Sequence, residues 1–330
     1  MNIYITLDYE IYFGKNHGTV EKCIIFPTSE LIRIADNHGV RFSFFVDCGF
    51  IIKLAEYKIK YPHLEKDYDS ITQQIKYLSD TGHDIQLHIH PHWEDSYYDG
   101  ERWIINIKRY KLVDFNEAEI SDIVFRYKKV LTEITGKAIF AYRAGGWCLQ
   151  PFSKLKKAFK ENQITLDSSV FRKGFYSSEH YSYDFRNAPN KDIYTFDVKP
   201  EKENLKGYFT ELPISAIRNS PLFFWKLFLL GRKNTYLHKP LGDGKAMPAP
   251  GQRKTMLTQY TDCPVSIDGY NANLLQKALR SLKRKEFNHM VVIGHPKALS
   301  RYSIMKLEEF VEKNKGEHNF TTYSKMFRNK

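Results

Sequence analysis

The chain has 330 residues, with 50 Lys and Arg against 38 Asp and Glu, a net charge of +12 with His neutral. Hydrophobic residues make up 42% and charged residues 27%, which excludes intrinsic disorder and collagen-like structure and allows a full core. Aromatic residues reach 15%, a content that suits packed β-rich layers and rings on which a sugar can stack. The basic residues are scattered. Their densest run, Arg280–Lys285, closes a helical pattern where the helix dipole favours cations, so it reads as a solvated helix end. No nucleic-acid-binding motif is present, and nucleic acid is not an expected partner. The stretch from Met1 to Asp8 lacks the basic and apolar regions of a signal peptide. No 18-residue apolar run occurs. Cys23, Cys48, Cys148 and Cys263 form no C-x-x-C pair and read as reduced thiols. A cytoplasmic protein, peripheral to a membrane at most, is expected.

In chain order, residues 2–7 read as a strand. Residues 28–38 read as a helix capped by Thr28 or Ser29 and stopped by Gly39. A buried strand over 41–46 and a helix over 70–80 follow. The alternation in 84–90 predicts a strand that ends at Pro91, which has no N–H for a ladder. A long amphipathic helix covers 116–135, then a strand 138–143, a helix 151–161 and a short strand 164–167. After an irregular stretch come a helix at about 271–285, a strand 290–294 and a final helix 301–314. This alternation predicts an α/β fold with a parallel sheet and crossover helices. The stretch 172–260, rich in Tyr, Phe, Pro, Gly and Lys, reads as insertions on one barrel domain spanning 1–330, not as a second domain. Within it, the run Pro221–Lys233 is too short to span a bilayer. It is either a helix packed on the barrel, or an interfacial anchor or lid over a lipid-linked substrate.

Parallel α/β folds place their sites at the C-terminal ends of strands. There the sequence puts Asp8 and Glu10, Asp47, the histidines 88, 90 and 92, Arg143, Asp167 and His295. A stability core has no need of an ionisable residue at nearly every strand end; a hydrolytic site does. Two imidazoles and one carboxylate make an open catalytic zinc site. His88 and His92, with Glu10 or Asp8, would supply it. Strand periodicity puts His90 on the same side as His88, so His90 could replace His92 as ligand.

These residues, in this order, resemble the NodB-type polysaccharide deacetylases, carbohydrate esterase family 4, over about residues 2–300. The first motif is matched by Thr6-Leu7-Asp8-Tyr9-Glu10. The second, and most specific, is Gly82-His83-Asp84-Ile85-Gln86-Leu87-His88-Ile89-His90-Pro91-His92. The third resembles Arg143-Ala144-Gly145-Gly146 followed by Trp147, and the fourth Asp167-Ser168-Ser169. The fifth is the apolar strand ending in His295, and Glu211-Leu212-Pro213 resembles a further family tripeptide. The resemblance implies a distorted (β/α)7 barrel with insertions after the fifth and sixth strands, at 172–206 and 215–260. It implies a metal-dependent hydrolase that removes an N-acyl group from an amino sugar of a polysaccharide, nucleotide sugar or lipid-linked precursor at the inner leaflet.

By that resemblance Asp8 is the general base, and Glu10, His88 and His92 hold a divalent metal, zinc by default. His295 is the general acid, Asp167 hydrogen-bonds it, and Arg143 orients Asp8. The backbone N–H near Gly146 helps to bind the oxyanion, and Trp93 and Trp147 wall the sugar site. The sequence departs from the family at Tyr9, where the family has its second Asp, and at Gly145-Gly146, where it has Pro-Tyr. Two other readings follow. One is a different C–N hydrolase, acting on a cyclic amide or using His88 and His90 as an amidohydrolase pair. The other is an inactive, glycan-binding relative.

Overall fold

The computed structural model describes residues 1–14, 16–246 and 251–328. The chain forms two compact units, one of residues 1–42 with 214–321, the other of residues 43–213 with the C-terminal residues from 322.

In the first unit, Asn2–Tyr9 pairs in parallel with His289–Gly294, from Asn2 opposite His289 to Leu7 opposite Gly294. A short strand, Asn319–Phe320, also runs parallel to its start. From Tyr4 to Tyr9 every residue is buried on both faces, as in the interior of parallel sheets. The helix Arg301–Asn314 begins at Ser300, whose hydroxyl accepts from the Ser303 N–H, and coincides with its predicted range. The helix expected at 28–38 starts earlier. It runs Phe26–His38 directly out of a π-helical turn, Glu21–Ile25, so neither Thr28 nor Ser29 caps it. Pro27 is tolerated because the first turn needs no N–H there. Gly39, at φ 65°, ends it as predicted.

The 215–260 stretch lies in this unit. It contributes the strand Ala216–Asn219, which pairs antiparallel with Thr261–Pro264 just beyond the stretch, and the helices Pro221–Lys233 and Gln252–Thr258. Residues 247–250 of this stretch, Met-Pro-Ala-Pro, lie outside the described residues.

In the second unit, five strands run parallel in the order Ser43–Asp47, Asp84–Ile89, Ala141–Ala144, Leu166–Asp167, Phe209–Glu211. Tyr194–Phe196 closes that edge antiparallel. The helix Glu117–Thr135 carries a reciprocal cap between Asn116 and Glu119 and ends at Gly136, φ 65°. A helix that the sequence reading omits, Cys48–Tyr57, follows the first of these strands without a break. Apolar residues on both sides of Asp47, Phe44 to Val46 and Phe50 to Ile52, mask the change of period there.

The register brings chemistry-bearing residues into a row. Asp47 lies opposite His88, His88 opposite Arg143, Tyr142 opposite Asp167, and Asp167 opposite Glu211. In the first unit Gly294 lies opposite Leu7, so His295 and Asp8 leave neighbouring strands together. Parallel pairing puts all these groups at strand C-termini.

Candidate active site

In the first unit, Asp8 and Glu10 are both buried. His295 is anchored by Asp268: its backbone N–H donates to one carboxylate oxygen at 2.8 Å, and its Nδ1 meets the other at 2.8 Å. Nδ1 therefore carries a hydrogen, and Nε2 points toward Asp8 Oδ2 at 3.6 Å and Glu10 Oε1 at 3.9 Å. Burial alone would lower the imidazole pKa. The charge and hydrogen bond of Asp268, then the charges of Asp8 and Glu10, outweigh it and raise the pKa to about 9.

Sequence reasoning gave the place of Asp268 to Asp167. The correction has a local cause. Asp268 lies in a loop whose Asp-Gly pair carries no strand signal, whereas Asp167 ends a recognisable strand.

Beside them is Lys297, also absent from the sequence reading and only 7% exposed. Its ammonium donates to Glu10 Oε1 at 2.8 Å and to the Ile11 carbonyl at 2.7 Å, and it lies over the rings of Tyr12 and Phe13. A cavity of about 270 Å³ opens here, lined by Glu10, Tyr12, Phe13, Asp268, His295 and Lys297.

In the second unit, His88, His90 and His92 are all buried. His88 Nδ1 donates to the Arg143 carbonyl at 2.8 Å, because a carbonyl only accepts. That fixes the tautomer and leaves the Nε2 lone pair available, the arrangement found behind metal-ligating histidines. The ring of His90 meets that of His88 edge-on at 4.6 Å. His92 stacks flat on Tyr110, with centroids 5.7 Å apart and planes 1° apart, and packs beside Trp93.

The two glycines that depart from the family motif have a local reason. A Cβ on Gly145 would stand 2.6 Å from His90 Nδ1 and 2.6 Å from the Ile89 carbonyl. Gly146 has φ 58°, and its Cβ would reach 2.9 Å from the Tyr110 ring. Gly145 and Gly146 thus make room for His90 and Tyr110.

Arg143 is fully buried. Its guanidinium donates to the Ser168 carbonyl at 2.8 Å and to the Ser168 hydroxyl at 3.2 Å, and it lies 4.2 Å over the Phe45 ring. Asp167 accepts from the Ser169 N–H at 3.0 Å and the Ser169 hydroxyl at 2.7 Å. Glu211 faces it. Burial first, then the Asp167 charge, pushes the Glu211 pKa well above the usual carboxyl range. Burial raises the Asp167 pKa as well, so the two buried carboxyl groups disfavour a second charge.

Trp93 does not wall a sugar site. It is wholly buried against Phe50 and Trp103, and its indole N–H donates to Asp47 at 2.7 Å. Trp147 is half-buried at φ 59°, with Phe171 and Tyr183 edge-on to it. No helix among the described residues is long and apolar enough to cross a membrane.

No protein-family model matches the sequence, and no curated protein matches it. Solved structures do. A protein assigned as a polysaccharide deacetylase from Mycobacterium smegmatis matches at 15% identity and a TM-score of 0.52, over 99% of this chain and 89% of that one. The Puue allantoinase matches at 12% identity and 0.51, over 99% of this chain and 91% of that one. The 4-alpha-glucanotransferase of Thermococcus litoralis matches at 11% and 0.52, over 98% of this chain but 40% of that one. Matches with lower TM-scores include family 4 carbohydrate esterases. At these identities the likeness is one of fold. The chain has the α/β fold of the NodB-type polysaccharide deacetylases, the distorted (β/α) barrel expected from the sequence. Three differently named activities share it, so function has to be argued from side chains.

Proposed function

We propose that this chain is a metal-dependent N-deacetylase acting on an amino sugar of a polysaccharide, a nucleotide sugar or a lipid-linked precursor. The observation that carries the reading is the row Asp268–His295–Asp8 beside a cavity of about 270 Å³. It combines a carboxylate base with an imidazole held protonated by a second carboxylate, which suits amide hydrolysis.

Glu10, His88 and His90 are the proposed ligands of a divalent metal, zinc by default. His90 takes the position first given to His92, whose face-to-face packing on Tyr110 suits a structural ring. The fixed tautomer of His88 fits a neutral nitrogen ligand. A bound divalent cation supplies Lewis-acid polarisation of the acyl carbonyl.

The chain's own residues do the rest. Asp8 takes a proton from the attacking water as its oxygen bonds to the acyl carbon. His295 Nε2 gives its proton to the amide nitrogen as the C–N bond breaks. The products are a carboxylate and a free amine. Asp268 keeps Nδ1 protonated and the ring aimed. Lys297 donates a hydrogen bond to Glu10 Oε1 and fixes its position. Arg143 serves as a positioning residue, the backbone N–H at Gly146 is the proposed oxyanion donor, and Trp147 is the proposed sugar platform.

The test is acetate release from N-acetylglucosamine oligomers, UDP-N-acetylglucosamine and N-acetylated lipid-linked sugars, with Asp8→Asn as the control. Acetate release by the wild type alone supports the reading. Turnover of a cyclic amide instead, or glycan binding without turnover by either form, replaces it.

A further inference from the structure

Between residues 213 and 261 the chain has eight Lys and Arg and a single acid, Asp243, so seven of its twelve net positive charges fall in this stretch. The helix Pro221–Lys233 lies at its centre. Of its thirteen residues only Phe224 is fully buried. Leu222 is 79% exposed, Trp225 52% and Leu229 54%. These positions, spaced three and four apart, form one stripe along the helix. Exposed large apolar side chains are ordinary when scattered, but three in register on one helix are not.

The surroundings of the stripe are cationic. Lys226, Arg232 and Lys233 are exposed on the same helix, and Arg253 and Lys254 on the neighbouring helix Gln252–Thr258. That neighbour steadies the stripe: the Trp225 indole N–H donates to the Leu257 carbonyl at 3.2 Å, and Arg253 lies over the Phe228 ring. The Trp225 side chain is thus tied to the neighbouring helix while it stays half-exposed.

We propose that the helix Pro221–Lys233 docks on an anionic lipid bilayer, lying in the interfacial plane with Leu222, Trp225 and Leu229 inserted and the flanking cations on lipid phosphates. Charge complementarity selects this occupant. An apolar stripe flanked by these cations, with an indole among its apolar groups, matches the headgroup boundary of an anionic membrane. A second copy of this chain would bring the same positive charge against itself. Thirteen residues are too few to cross the bilayer, so the helix lies on it. The docking rests on the deacetylase reading only in so far as it would bring a lipid-linked acceptor within reach.

The test is flotation of the full chain with vesicles of phosphatidylcholine alone and with about a quarter phosphatidylglycerol, for the wild type, Trp225→Ala/Leu229→Ala and Arg232→Glu/Lys233→Glu. Circular dichroism checks that the variants fold, which is expected because all four side chains are exposed. Binding to the anionic vesicles only, weakened about tenfold or more in each double variant and by added salt, is the expected result. No wild-type binding, or equal binding by the variants, overturns the proposal. So does a wild-type dimer in light scattering that Trp225→Ala/Leu229→Ala dissociates, since the stripe would then cover itself. Flotation needs no turnover, so failure here is separate from failure to release acetate.

Discussion

Asp268 holds His295 at two points, backbone N–H and imidazole Nδ1, each at 2.8 Å. The double contact fixes both the ring's direction and its tautomer, and leaves Nε2 as the proton carrier facing Asp8. Replacing Asp268 with Asn keeps the shape and removes the charge. Acetate release is expected to fall on the order of 100-fold, the scale of a lost general acid. The sign of the pH effect is fixed as well. Activity needs protonated His295, so it falls as pH rises through the imidazole pKa. Without the Asp268 charge that pKa drops, and the alkaline limb of the rate profile moves to lower pH. A profile displaced upward, or unchanged, would contradict the role.

Gly145→Ala puts a methyl group 2.6 Å from His90 Nδ1 and from the Ile89 carbonyl, and both residues are buried. A loss of about 1–3 kcal/mol is expected from the overpacking, together with weaker metal binding because His90 is displaced. Thermal unfolding and metal titration on the same sample read both effects. Gly39→Ala, where a Cβ meets nothing within 4 Å but φ is 65°, is the control for backbone strain alone.

The two tryptophans next to the motifs separate packing from binding. Trp93→Ala empties a wholly buried site and leaves Asp47 without its indole donor, for an expected loss of about 3–5 kcal/mol. Trp147→Ala keeps a Cβ at φ 59°, so the backbone strain is unchanged, and the variant is expected to raise KM for the sugar with little change in thermal stability. Equal stability losses for the two would show that Trp147 is a core residue as well.

Glu211 gives a pH dependence of stability. Its pKa in the folded state is well above that of the unfolded chain. The native state therefore keeps a proton that the unfolded state gives up, and stability falls as pH rises above the unfolded carboxyl range, about 4.3. Glu211→Gln, neutral at every pH, is expected to reduce that slope in urea unfolding between pH 5 and 8. A steeper slope in the variant would place the proton elsewhere.

Much of this arrangement was legible in the sequence because parallel strands put their C-terminal residues together. The strand ends carrying Asp8, His88, Arg143, Asp167 and His295 were visible from periodicity and Pro91 alone. What stayed hidden depends on loops and on direction. Asp268 lies in a loop and Lys297 in the single 3-10 turn Pro296–Ala298, both too short for a period to mark which way a side chain turns. Trp93 and Trp147 each follow a motif, yet one turns into the core and the other stays half-buried. The helix start at Phe26 was missed because Thr28 resembles a cap, while the chain enters the helix already coiled at Glu21–Ile25. Gly145 and Gly146 looked like a simple loss of the family's ring, and only the position of the His90 and Tyr110 rings explains them.

The most direct measurement is metal content per chain by elemental analysis after zinc reconstitution, for the wild type, Glu10→Gln, His88→Ala/His90→Ala and His92→Phe. The account predicts about one metal per wild-type chain, loss in the first two variants and retention in His92→Phe. A wild type that holds no metal, or a site emptied by His92→Phe and kept by His88→Ala/His90→Ala, would contradict it.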